Sequence, residues 1–412
     1  MKNNYTRDLK IENIREDFPQ LKSIVNNKPL VYFDNAATTL KPKVMIDAIA
    51  HYYSEEVANV HRGIHTLSEV GTTKFEQTRL GVANFINAKN THEVIYTKGT
   101  TDSLNLLAHS FGKKFLSPGD EILLSLMEHH SNIVPWQLIA QEMGAKIVVV
   151  PITDSGEIDF IEYKKLLNSK TKIVSITYIS NTLGTINPIG EMIELAHAAG
   201  AKFCVDAAQA IAHLPIDVQK LNCDFLVFSA HKIFGPNALG FLYGKEELLN
   251  EMPPYQGGGA MISEVTFEKT TYNILPNKFE AGTPAIAEVI AFKASLEYLQ
   301  AIGLDQISKR ESELLDYASA ELKKIPGLKI IGEAKHKASV ISFILEGAHP
   351  HDIGSILDKE GVAIRTGHHC TQPLLKRYGV NAIARASFAF YNTEEEIDIF
   401  ISALKKAQDF LL

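Results

Sequence analysis

The sequence has little cysteine: Cys204, Cys223 and Cys370 are the three in 412 residues. Three thiols build no disulfide framework, and no Cys-x-x-Cys pair is present to suggest a structural zinc site. A basic run is missing as well. With 41 Lys and Arg against 48 Asp and Glu the formal charge is −7, the opposite of a nucleic-acid binder's electrostatic footprint. No apolar stretch reaches the ~18 residues that a membrane helix needs. Residues 1–8 lack the apolar core of a signal peptide. These absences lead us to expect a protein of a reducing cytoplasm, with no nucleic-acid or membrane partner and no bound metal. At this length about three quarters of the unfolded surface is buried on folding, so no staple is required.

What is present is alternation. Short β-branched runs at 94–97, 121–126, 146–151, 172–178, 201–206, 224–229 and 238–243 are separated by helix-like stretches such as 103–111, 134–143, 159–167 and 189–199. Near-continuous apolar strands are buried on both faces, the mark of a mostly parallel sheet covered by helices. Glycine and proline then cluster at 253–259 and 281–284. Beyond a helical stretch at 284–301, strands at 340–345, 362–365 and 383–390 mix with helices at 351–359 and 393–412. The expectation is an α/β protein: an N-terminal segment 1–30 packing on the small domain, a large domain 31–290, and a small α+β domain 291–412.

Several segments carry chemistry. In the strand-to-helix turn at 97–102, Gly99 permits a tight bend and places the hydroxyls of Thr100 and Thr101 at a helix N-terminus. Such a turn cradles phosphate, or simply caps the helix. Asp206 ends an apolar strand, with Gln209 about one turn on. It could hold a protonated heterocycle nitrogen or act as an N-cap. Lys232 directly follows another buried strand, flanked by Ser229 and His231. A desolvated amine there is a Schiff-base nucleophile, the means by which pyridoxal phosphate enzymes hold their cofactor. The plain alternative is a surface loop lysine.

His129 and His130 follow a strand and could stack on a planar ring or move protons; adjacent side chains diverge, which disfavours a metal pair. Cys370 lies on a glycine-containing turn beside Arg365, His368 and His369, company that favours a reactive thiolate. Cys204 and Cys223 sit in or beside apolar strands and read as inert filler. Arg385 lies inside an apolar strand and needs an anion, either a substrate carboxylate or an internal Asp or Glu.

Together these segments resemble the fold-type I pyridoxal phosphate enzymes of aminotransferase class V. More narrowly, they resemble the group II (SufS-type) cysteine desulfurases, which include selenocysteine lyases. The resemblance runs from about residue 18 to the C-terminus. It rests on Phe33-Asp-Asn-Ala-Ala-Thr38, His61-Arg-Gly-Ile-His-Thr-Leu-Ser68, Met127-Glu-His-His130, Ser180-Asn-Thr-Leu-Gly184, Asp206-Ala-Ala-Gln209, Ser229-Ala-His-Lys232, Gly257-Gly-Gly259, Phe279-Glu-Ala-Gly-Thr-Pro284, Arg365-Thr-Gly-His-His-Cys370 and Arg385-Ala-Ser387.

The resemblance implies that Lys232 carries the cofactor, His129 stacks on its ring, Asp206 pairs with the ring nitrogen and Gln209 with the phenolic oxygen. Thr100, Thr101, Ser229 and His231 would hold the phosphate, joined by Thr283 from the second subunit of a homodimer. Arg385, Asn181, Ala36, His61 and Arg365 would take the substrate L-cysteine. Cys370 would accept its sulfur and pass it to an acceptor protein of SufU or SufE type for iron–sulfur cluster assembly. His349-Pro-His351-Asp352 resembles the form that works with a zinc-containing acceptor, although His351 could equally be an exposed helix-cap histidine. The implied alternatives are a selenocysteine lyase, an idle assembly scaffold and, weakest, a transaminase.

Overall fold

A computed structural model describes residues 11–412. The expected packing of residues 1–10 lies outside the described residues. The central layer is a seven-stranded sheet of β1 (Val94–Thr97), β2 (Glu121–Ser125), β3 (Lys146–Val150), β4 (Thr171–Thr177), β5 (Lys202–Asp206), β6 (Phe225–Ser229) and β7 (Gly240–Gly244). Its order is β1-β7-β6-β5-β4-β2-β3. All pairs are parallel except those of β7, which runs antiparallel to β1 and β6. The α/β expectation holds, and each expected run lies within two residues of an observed strand. The apolar runs are continuous because helices cover both faces: every residue of β6 and β7 is buried.

The helices that matter for the site are α1 (Thr66–Phe85), α2 (Thr100–Phe115), α3 (Ile286–Ile302), α4 (Leu304–Leu322), α5 (Pro350–Lys359) and α6 (Glu394–Leu411). α2 starts at Gly99 and ends with Lys113 and Lys114 in its last turn, where cations complement the helix dipole. α6 starts with a reciprocal capping box between Thr393 and Glu396, which satisfies two otherwise orphaned backbone N–H groups.

The C-terminal part carries its own antiparallel sheet, β8 (Leu328–Ile331), β9 (Val340–Leu345), β10 (Arg365–Gly367) and β11 (Ile383–Ser387), in the order β8-β9-β11-β10. The single strand expected at 362–365 is two. Val362–Ala363 pairs in parallel with Val31–Tyr32, and the chain turns at Ile364 before pairing with β11. β8 is absent from the sequence-based expectation because its alternation is weak and only Ile331 is buried. The boundary expected between 290 and 291 falls inside the continuous helix α3, which Gly303 separates from α4.

Residues 11–30 contact both parts. Phe18 packs on Phe234 of the large part and on Phe390 and Tyr391 of the small part. Arg15 donates to the Tyr391 carbonyl at 2.7 Å and pairs with Glu396.

Candidate active site

In open α/β sheets, ligands bind beyond the carboxyl ends of the parallel strands. Here the ends of β4 and β5 coincide, Thr177 being in register with Asp206, and β6, whose Val227 lies beside Asp206, runs on to Ser229. β7 enters antiparallel with Gly240 beside both Ser229 and Thr97. A cavity of about 210 Å³ opens at this edge. It collects nearly all the residues singled out above: Ala36, Thr100, Thr101, His129, Asn181 and Asp206, and with them Gln209, Ser229, His231, Lys232, Arg365, Cys370 and Arg385. His61 and Thr283 do not reach it. They lie together on a second cavity of the same chain, beside Gly259 and Glu280.

Lys232 sits in a short helical turn after β6. Its amine has no hydrogen-bond partner among the described residues. Burial pushes its pKa down to about 8, against the opposing pull of Asp206. Asp206, 3% exposed, accepts the Ala208 N–H at 2.9 Å. Burial raises its pKa, while that N–H and Lys232 restrain the rise. Gln209 donates to the Ala36 carbonyl at 2.7 Å, which joins β5 to the loop after Tyr32.

At the start of α2, the Thr100 N–H and hydroxyl both lie on Ser229 Oγ, at 2.7 and 2.8 Å. Gly99 has φ +148°, and a Cβ on Gly240 would sit 2.3 Å from Gly99 Cα. Only glycine lets these two backbones approach so closely, and the approach sets the distance between the helix start and Ser229. The result is a helix N-terminus with hydroxyls and His231 around it, suited to a phosphate.

His129 Nδ1 accepts the Ser131 N–H at 3.1 Å and lies 2.8 Å from Ser131 Oγ. In the neutral ring the proton is therefore on Nε2. Burial, aided by Lys232, pushes the His129 pKa down to about 3, so the ring is neutral. The preceding residue, Glu128, is fully buried and accepts hydrogen bonds from Ser125, Asn132 and the Thr177 N–H. Burial raises its pKa to about 8. Sequence pattern does not mark Glu128, because nothing local shows that its carboxylate turns inward under the ends of β2 and β4.

Arg385 lies in β11, and of its two candidate anions the internal one is present as Asp34. It donates to Asp34 Oδ1 at 3.1 Å and to the Asn181 carbonyl at 2.9 Å. Its Nε is buried without a partner among the described residues. The internal ion pair thus exists, yet it leaves part of the guanidinium fork free at the cavity.

Cys370 is partly exposed on the cavity wall, while Cys204 and Cys223 are buried. Burial raises both of their pKa values, that of Cys223 to about 12, consistent with inert thiols. His369 and Cys370 have φ of 48° and 57°, a conformation that costs a non-glycine residue about 1–2 kcal/mol. His369 itself turns inward, its Nε2 3.3 Å from the Ile383 carbonyl.

One nitrogen each of His130 and His368 and the sulfur of Cys370 lie within 4.8 Å of one another. Each imidazole spends its lone pair on a backbone N–H: His368 Nδ1 on Cys370 at 3.0 Å and His130 Nε2 on Gln372 at 3.1 Å. A neutral ring has no second lone pair for a cation. The trio is therefore a hydrogen-bonded frame around the thiol.

These residues fit pyridoxal phosphate. An unpartnered amine, a buried carboxylate and a hydroxyl-lined helix start on one cavity supply a linkage point, a partner for a ring nitrogen and a phosphate cradle. Among the described residues, no helix is long and apolar enough to cross a membrane.

Comparison with known proteins gives a consistent result. The aminotransferase class-V family model matches residues 31–400. Over 398 residues the chain is 52% identical to a cysteine desulfurase of Synechococcus elongatus, an alignment covering 97% of this chain and 64% of that protein. Over 402 residues it is 48% identical to the cysteine desulfurase of Dickeya dadantii, covering 97% of each. The chain thus spans under two thirds of the first relative's length but nearly all of the second's. Among solved structures, the Escherichia coli cysteine desulfurase CsdA superposes with a TM-score of 0.92 at 37% identity, covering 98% of this chain and all of that one. The apo cysteine desulfurase of Thermococcus onnurineus gives the same score and identity, covering 97% and 98%.

Proposed function

Because the chain belongs to the aminotransferase class-V family, we propose that it is a pyridoxal-phosphate-dependent cysteine desulfurase. It converts L-cysteine to L-alanine and retains the sulfur as a persulfide on Cys370. The observation that carries this reading is the convergence of Lys232, Arg385 and Cys370 on one cavity. Relatives named cysteine desulfurases at 48–52% identity favour it over a selenocysteine lyase.

Bound through Lys232, pyridoxal phosphate supplies an electron sink that acidifies the substrate Cα–H and makes its sulfur electrophilic. Asp206 pairs with the ring nitrogen and keeps it protonated. Thr100, Thr101, Ser229 and His231 take the phosphate. Arg385, with Asn181 beside it, orients the substrate carboxylate, using the fork that Asp34 leaves free. Lys232, when its amine is free, would remove the Cα proton; its depressed pKa leaves a useful neutral fraction near pH 7. His129, neutral with its proton on Nε2, delivers a proton within the site. The Cys370 thiolate attacks the substrate sulfur: an S–S bond forms, the Cβ–S bond breaks, and its electron pair stays with the carbon skeleton. That skeleton takes up protons and leaves as alanine.

The compact Arg365–Cys370 loop supports the group II subtype. His61 and Thr283 stand together away from the cavity, and a second copy in a homodimer would bring them to it. An acceptor of SufU or SufE type, serving iron–sulfur assembly, would drain the persulfide, and the exposed His351 at the start of α5 is available to meet it. The experiment is to incubate the cofactor-loaded protein with L-cysteine, quantify alanine, and locate added sulfur by mass spectrometry. Alanine with +32 Da on Cys370 is expected, a mass shift of about one sulfur atom. Alanine formation at an undiminished rate in Cys370→Ala would overturn the nucleophile role.

A further inference from the structure

We propose that His130 is a positioning residue that fixes the Cys370 loop in the geometry needed for sulfur transfer. The inference rests on the proposed nucleophile role of Cys370. The loop's backbone at His369 and Cys370 is held in the left-handed region, with φ of 48° and 57°, which persists only where the surroundings over-determine it.

The large part of the protein provides that restraint at four successive residues. Asn181 Nδ2 donates to the His369 carbonyl at 2.9 Å. The His130 backbone N–H donates to the Cys370 carbonyl at 2.8 Å. Thr182 Oγ1 lies 2.9 Å from Thr371 Oγ1. The Gln372 N–H donates to His130 Nε2 at 3.1 Å. His130 thus grips the chain at Cys370 itself, by its backbone, and two residues further on at Gln372, by its ring. It lies five residues beyond the end of β2, so the grip ties the nucleophile to the edge of the central sheet.

The ring bond needs an unprotonated Nε2. Burial and the neighbouring His368, whose ring centroid is 5.6 Å away, hold the His130 pKa below its ordinary value, which favours that form. Gln at this position keeps a side-chain acceptor at about the reach of Nε2; Ala removes it. The backbone N–H of residue 130 survives in both.

The test compares holoenzymes of wild type, His130→Ala and His130→Gln. Three readouts are used: the visible cofactor absorption, the rate of its change on adding L-cysteine, and the rate of persulfide formation on Cys370 by quenched mass spectrometry. The expected result for His130→Ala is normal absorption, a normal cysteine-induced change, an unaltered KM, and persulfide formation slowed roughly tenfold, the scale of one lost hydrogen bond. His130→Gln should recover part of that rate. Persulfide formation at the wild-type rate in His130→Ala would sink the proposal. So would equal losses in Ala and Gln, or a loss that tracks the cofactor absorption. If the wild type itself forms no persulfide, it is the desulfurase reading that fails.

Discussion

Arg385 donates to Asp34 across 3.1 Å, and this one contact joins β11 to the loop after Tyr32, 351 residues away in sequence. The pair is internal, but it is incomplete: Nε of Arg385 has no partner among the described residues. Burial pulls the Arg385 pKa down to about 10, so the guanidinium stays charged at neutral pH.

A planar fork divided in this way is not replaced by a lysine. Arg385→Lys should raise KM for L-cysteine and lower kcat/KM by about tenfold to a hundredfold, the loss of a charge-assisted bond of about 1.5–3 kcal/mol. Asp34→Ala, which frees the fork without removing it, should have a smaller effect. Steady-state kinetics decide the matter, and an unchanged kcat/KM in Arg385→Lys would remove Arg385 from substrate binding.

Lys232 attacks an aldehyde only as the neutral amine. Uptake of pyridoxal phosphate by the apoprotein, followed by visible absorption, should therefore accelerate with rising pH and level off through a midpoint near 8. A free lysine would give a midpoint near 10.5. Lys232→Ala should develop no lysine-linked absorption at any pH; persistence of that band would refute the linkage.

Gly240 tests the cradle from a distance. The methyl of Gly240→Ala would collide with the backbone of Gly99, and overpacking of this kind costs about 1–3 kcal/mol. Because Gly99 opens α2, the displacement should weaken cofactor affinity measurably in an equilibrium titration of the apoprotein. Leu242, two residues along the same strand, is buried in the sheet core. Leu242→Val is the control, expected to lower stability while leaving the affinity unchanged.

His213 and Glu311 form a largely buried pair at 2.5 Å, with side chains 12% and 4% exposed. Burial pushes the His213 pKa down, but the charge and hydrogen bond of Glu311 together outweigh it and raise the pKa above 6.5. A raised folded pKa contributes stability that is complete below pH 6.5 and fades as pH climbs through the folded value. His213→Gln should thus destabilise the protein by about 3 kcal/mol at pH 6, and by less at pH 9. Urea unfolding at the two pH values gives the comparison; equal losses would mean that the pair is not charged.

The strands were legible because burial on both faces writes itself as continuous apolar runs, and those runs end at Asp206 and Ser229, whichever strands lie alongside. The glycine at 99, the lysine at 232 and the thiol at 370 were legible for a related reason: each is a residue type that its local setting does not otherwise explain. Two elements were not. β8 carries too little burial to show a period, and the split at Ile364 depends on pairing with Val31–Tyr32, more than three hundred residues upstream.

The amino-acid sequence by itself therefore determined the fold class and which side chains are candidates for chemistry, since burial period and reactive residue type are local properties. Tertiary structure alone decided what each of them faces. That Arg385 is shared between Asp34 and an open cavity, that Gly240 abuts Gly99, and that His130 holds Gln372 from 242 residues away are all consequences of non-local pairing. The three cysteines show the division most simply. Composition counts them alike, but only the packing buries two and leaves the third on the cavity wall.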